Sequence, residues 1–102
     1  MTRIYISGPI SNMPDWNFPA FNAAAKVYRE AGFDVINPAE LDGDKDPASL
    51  KWEDCLRRDI SALMLCDTIC MLPGWSESRG AQLEHHVACE LGFEVIYPVG
   101  WL

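Results

Sequence analysis

Glu84 is the residue of this chain whose surroundings best suit it to chemistry. The stretch Asp67-Thr-Ile-Cys-Met-Leu-Pro-Gly-Trp-Ser-Glu-Ser-Arg-Gly-Ala-Gln-Leu-Glu84 starts as an apolar run, breaks at Pro73-Gly74 and resumes as a helix carrying this acid one to two turns in. In open α/β sheets ligands bind where strands end and the next helices begin, so a carboxylate there is a candidate catalytic group. Spacing alone also fits a solvated surface glutamate. Ser78 and Gly80 open the same helix. Ser78 reads either as an ordinary N-cap or, with the backbone amides near Gly80, as a cradle for a phosphate. Gly80 lies one turn before Glu84, and with Ala81 and Ala88 nearby it leaves room for a ligand against the helix. The Leu72-Pro73-Gly74 break, where the strand stops, adds Gly74 to the candidate contacts.

Candidate partners come from other segments. Asp59 lies between Leu56, Ile60 and Leu63, at the margin of a helical apolar stripe, where it can act as a second acid or pair with Arg57 or Arg58. Tyr5 alternates with Ile4 and Ile6, so its ring can pack in the core with its hydroxyl directed to a polar site. Ser7, Gly8 and Pro9 form the turn after that strand, where glycine permits a ligand to approach closely.

These residues need elements to bring them together, and the apolar period alternates between strand-like and helix-like along the chain. Residues 3–7, 33–37, 67–72 and 93–97 read as strands, and about 17–31, 50–65 and 77–91 as helices. Phe21, Ala25 and Tyr28 stripe the first helix. Trp52, Leu56, Ile60, Leu63 and Met64 stripe the second, and Leu83, Val87 and Leu91 the third. Residues 39–49 form a polar loop of the kind that often covers a site. Strands joined by helices run parallel with right-handed crossovers, which predicts an α/β fold: a small doubly wound, Rossmann-like or flavodoxin-like parallel sheet of four to five strands, with helices on both faces and strand order 2-1-3-4.

The chain's 102 residues make one domain, 1–102, and 8 basic against 15 acidic residues leave a net charge of −7. That balance repels polyanions and provides no basic stripe for a nucleic-acid polymer, so a small-molecule substrate is expected. No apolar run approaches the roughly 20 residues that span a bilayer. No charged-then-apolar leader is visible. A cytoplasmic protein with no membrane partner is predicted. Cys55, Cys66, Cys70 and Cys89 fall in predicted helices or a strand, which predicts reduced, buried thiols. The spacing of Cys66 and Cys70 with His85 and His86 matches no common zinc pattern, so no metal is assigned.

Tyr5-Ile-Ser-Gly-Pro-Ile10, Arg58-Asp59, Cys66-Asp67 and Ser78-x-Gly80-x-x-x-Glu84 together resemble the nucleoside 2-deoxyribosyltransferase superfamily, across nearly the whole chain and in the right order. The likeness is strongest to short phage and bacterial members grouped as an uncharacterised domain family. The resemblance implies cleavage of the N-glycosidic bond of a 2′-deoxynucleoside or its 5′-monophosphate, by hydrolysis or base exchange, without a cofactor. It implies Glu84 as the nucleophile, Asp59 near the base and reaction centre, and a Tyr5 hydroxyl that orients Glu84. A carboxylate about 3 Å from C1′ can attack it to form a glycosyl ester that water or a second base resolves.

Asn12, Trp16 and Phe18 can then wall a base, since aromatic rings stack on bases and Asn reads their polar edges; equally, they can cap and staple the first helix. Where the monophosphate hydrolases of the superfamily commonly carry Gly-Ser, this chain has Gly8-Pro9, which removes a hydroxyl and an amide donor. Ser7 or Ser11 can compensate, and both nucleoside and nucleotide stay open. Superfamily members complete their pockets with a neighbouring subunit. The chain stops soon after its fourth strand, at Gly100-Trp101-Leu102, with Trp52, Trp75 and Trp101 near surface segments, so a homodimer or higher oligomer is expected. Two other classes remain: a catalytically silent nucleotide-sensing module of the same fold, and a scaffold protein.

Overall fold

Alternation along the first strand sets the layers of the molecule. The computed structural model describes residues 2–41, 43 and 45–98. Its main elements are β1 (Arg3–Ser7), α1 (Phe18–Glu30), β2 (Asp34–Ile36), α2 (Trp52–Leu63), β3 (Thr68–Met71), α3 (Arg79–Glu90) and β4 (Glu94–Ile96). Ile4 and Ile6 of β1 join Val35, Cys70 and Leu72 in a core closed by Phe21, Ala24 and Ala25 of α1. Tyr5 points to the other face, where Ile69 and Met71 meet Leu63, Ala81 and Ala88 from α2 and α3. One helix therefore covers one side of the sheet and two cover the other. This is the doubly wound arrangement expected from the period of the sequence.

The four strands lie in the order β2-β1-β3-β4. All three pairings are parallel, with Tyr5 beside Ile36 and Ile69, and Ile69 beside Val95. The chain leaves β1 in one direction to reach β2, then crosses back over to β3. The switch point is therefore the crevice beyond the C-terminal ends of β1 and β3. At the opposite end, Asp67 accepts from the Arg3 amide at 3.1 Å and the Thr68 hydroxyl at 3.0 Å, tying β1 to β3 away from that crevice.

Several expectations need correction. The stripe of α3 has the right period but the wrong phase: Ala81, Glu84 and Ala88 face inward, whereas Leu83 is 42% and Leu91 57% exposed. Close contact with the sheet selects small side chains, and only Val87 of the expected stripe packs against the core. Met64 is exposed just beyond α2. The third helix begins at Arg79, since Trp75–Glu77 forms a separate 3-10 turn and Ser78 takes the cap. Cys66 and Cys70 are buried free thiols, but Cys55 is half-buried and Cys89 exposed. Gly100, Trp101 and Leu102 lie outside the described residues. Among those described, no helix is long and apolar enough to cross a membrane.

Two glycines shape the crevice for reasons of packing and backbone geometry. A Cβ on Gly8 would lie 2.8 Å from the Leu72 Cβ, an atom that cannot move without its backbone, so strand contact rather than a ligand demands glycine here. Gly8→Ala is expected to cost about 1–3 kcal/mol. A thermal melt should then fall by roughly 5–15 °C. Gly74 has φ +87°, a conformation that L side chains rarely adopt, and turns the chain after β3 toward α3.

Candidate active site

Glu84 sits where the switch point predicts a ligand, on the inner face of α3 above the end of β1. It is only 5% exposed. Tyr5 and Ser7 share one face of β1, two residues apart, and both reach it from below. The Tyr5 hydroxyl donates to Glu84 Oε2 at 2.7 Å, and the Ser7 hydroxyl to Oε1 at 2.6 Å. Burial pushes the Glu84 carboxyl up to about 7; the two hydroxyl donors act against that rise and the nearby Asp59 charge adds to it. Tyr5 is held well above the ordinary tyrosine value, first by burial and then by the Glu84 charge, so it remains a neutral donor.

A cavity of about 320 Å³ opens in front of Glu84. Of the predicted site residues, Glu84, Asp59, Gly8, Asn12, Trp16, Ser78 and Gly80 line it. Tyr5 and Ser7 stand behind Glu84, and Ser7 is 1% exposed, so its hydroxyl serves the carboxylate rather than the cavity. Pro9 and Gly74 line an adjoining depression of about 590 Å³ that shares Ser11, Asn12, Trp52, Ser78 and Gly80 with the first. Ala88 belongs to the core, whereas Ala81 also reaches the cavity wall.

Asp59 projects from α2 and is 7% exposed. Its Oδ1 accepts from Arg58 Nε at 3.1 Å and Nη2 at 2.8 Å. Burial raises the Asp59 carboxyl above its ordinary value even though the Arg58 guanidinium pulls it down. The site thus holds two buried acids with different neighbours, one gripped by neutral hydroxyls and one beside a cation.

Ser78 caps α3, accepting from the Ala81 amide at 3.3 Å. A Cβ on Gly80 would meet nothing closer than Leu56 Cδ1 at 3.8 Å, so the protein's own packing does not require glycine; its small size widens the cavity. Trp16 is held by unusual backbone: Asp15, Trp16 and Asn17 are three successive left-handed residues, and Asn12 is left-handed too. Each costs about 1–2 kcal/mol in an L-residue. Asn17 Nδ2 donates to the Pro9 carbonyl at 2.9 Å, which pins the segment and starts α1 one residue later than expected. Strain of this kind collects where the chain must present a side chain to a site.

Other wall residues had not been singled out as contacts: Trp52, Leu56, Cys55, Ile10 and Arg58 all line the cavity. Trp52, Leu56 and Asp59 fall at i, i+4 and i+7, a period that a core stripe and a cavity wall share. The Arg79 guanidinium lies 4.4 Å from the Trp52 ring centroid, closing the rim by a cation–π contact. Trp75, expected as a surface aromatic, stacks on His85 at 4.2 Å.

The parallel sheet in this order, with helices on both faces, has the fold of a solved 2-deoxyribosyltransferase. The 2-deoxyribosyltransferase from Leishmania mexicana superposes with a TM-score of 0.69 at 19% identity, over 93% of this chain and 62% of that one. This chain thus spans about three-fifths of that enzyme's length, and the likeness is one of fold. No curated protein matches the sequence. The chain belongs to the family described as a domain of unknown function, DUF4406, whose model matches residues 2–97.

Proposed function

We propose that this protein cleaves the N-glycosidic bond of a 2′-deoxynucleoside or its 5′-monophosphate through a covalent intermediate on Glu84. The observation that carries the reading is a buried carboxylate with both oxygens engaged by hydroxyls, at the wall of a nucleoside-sized cavity that also contains Asp59. Glu84 attacks C1′ as the C1′–N bond breaks, and the bonding pair leaves with the base. Asp59 supplies a proton or hydrogen bond to the departing base. Water, or the N–H of a second base, then attacks C1′ of the ester, returning a proton to Asp59, and releases Glu84 as carboxylate. Two displacements retain configuration. Trp16, Phe18 and Trp52 offer rings on which a base can stack, and Asn12 a polar edge.

Incubation with a panel of deoxynucleosides and deoxynucleotides, followed by chromatography for free base, tests the reading. Base release supports it. A ligand-dependent rise in melting temperature without release would instead identify a sensing module. Because the nucleophile must be ionised, kcat/KM for a substrate whose base departs without a proton from Asp59, such as N7-methyl-2′-deoxyguanosine, should increase with pH through an inflection near 7, the value to which the folded protein raises Glu84. A flat profile between about pH 5 and 9 would remove Glu84 from the reaction. The exposed apolar side chains of Leu83, Leu91 and Tyr97 support a homo-oligomer, which light scattering at micromolar concentration checks.

A further inference from the structure

We propose that Ser7 is a positioning residue for Glu84, gripping one carboxylate oxygen from behind while Tyr5 grips the other, so that the carboxylate meets C1′ in one orientation. This rests on Glu84 being the nucleophile. Ser7 lies at the end of β1, buried, and lines neither the cavity nor the adjoining depression. Its hydroxyl donates to Glu84 Oε1 at 2.6 Å. Alternation along β1 sends Tyr5 and Ser7 to the same face, beneath α3, while Ile4 and Ile6 fill the opposite core. A hydrocarbon would suit so dry a place on the strand; a hydroxyl there has Glu84 as its acceptor.

The two donors differ in consequence from one. Engaging both oxygens fixes rotation about the terminal Glu84 torsion, which is otherwise broad. Both hydroxyls bond an ionised carboxylate more strongly than a protonated one, whose hydroxyl oxygen is a poorer acceptor and has a proton of its own to place. The pair therefore opposes burial and keeps a larger share of Glu84 in the attacking form. Ser7 and Tyr5 occupy separate oxygens, so removing Ser7 leaves the Tyr5 bond intact and exposes its own contribution.

The test is a carboxyl carbon-13 titration of Glu84, assigned with Glu84→Gln, in the wild type, Ser7→Ala and Ser7→Cys, alongside the pH profile of base release. In Ser7→Ala the Glu84 midpoint should move up by about one pH unit, as expected for losing a hydrogen bond to a charged group. The acid limb of kcat/KM should follow, giving roughly tenfold slower release at about pH 6 and a smaller gap at high pH. Ser7→Cys, of similar shape but a weak donor, should fall between, and carries the same test if the alanine variant does not fold. An unmoved Glu84 midpoint in a folded variant overturns the proposal. If the midpoint moves but no substrate is turned over even by the wild type, the grip on Glu84 stands and the nucleophile reading fails.

Discussion

Glu84→Gln is expected to lower base release by roughly a thousandfold or more, since the amide cannot form the glycosyl ester. The same substitution should make the protein more stable above neutral pH, which separates loss of chemistry from loss of fold. Folded Glu84 titrates at about 7, against 4.5 for the ordinary side chain. Between those values the native state binds more protons than the unfolded one, so stability falls as pH rises through the window. The stabilisation from the protonated carboxyl is fully present below 4.5 and gone once pH passes about 7. The cumulative loss is ~3 kcal/mol at 1.36 kcal/mol per pKa unit.

The glutamine side chain of the variant is neutral throughout and feels no such loss, although one of its amide donors must face a hydroxyl that now has to accept. The variant's melting temperature should exceed the wild type's by on the order of 10–15 °C at about pH 8. The two proteins should converge near pH 4.5, the ordinary carboxyl value. Wild-type activity in the variant, or a parallel pH dependence of the two melts, contradicts the role given to Glu84.

Asp59→Asn is expected to slow release by about a hundredfold with an ordinary base, because asparagine can donate a hydrogen bond but cannot transfer a proton. The defect should nearly vanish with N7-methyl-2′-deoxyguanosine, whose cationic base departs without being protonated. A second signature concerns Glu84. The Asp59 charge helps raise the Glu84 carboxyl, so its removal should move the acid limb of kcat/KM to lower pH, opposite in sign to the effect of Ser7→Ala. An equal loss on both substrates would make Asp59 a structural partner of Arg58, to which it is bonded at 2.8 Å.

Much of the architecture was legible because its signals are local. Strand-length apolar runs alternate with helical periods, and Gly8-Pro9, Gly32, Pro38, Pro73-Gly74 and Gly92 punctuate them. Parallel pairing and the 2-1-3-4 order then follow from chirality and short connections. The candidate site was legible in outline because the resemblance singled out Tyr5, Asp59, Ser78 and Glu84, which lie on the strand and helices that meet at the switch point.

Phase and depth were not local. Whether Leu83 or Glu84 turns inward depends on how closely α3 approaches the sheet, and the small Ala81 and Ala88 decide that contact only once the strands are in place. Trp52 and Leu56 could not be told apart from core residues, since a helix that overhangs the end of a sheet keeps its period while its neighbours change from strand to cavity. Ser7 changed most, from a turn residue near a ligand to a buried donor behind the carboxylate.

The sequence by itself determined the elements, their order and the residue types available at the crevice, because propensity, periodicity and chirality act over a few residues at a time. Only the tertiary structure decided which oxygen of Glu84 each hydroxyl holds, and how far burial raises that carboxyl. Those depend on distances of a few ångströms and on the exclusion of water, between Tyr5 or Ser7 at one end of the chain and Glu84 more than seventy residues away.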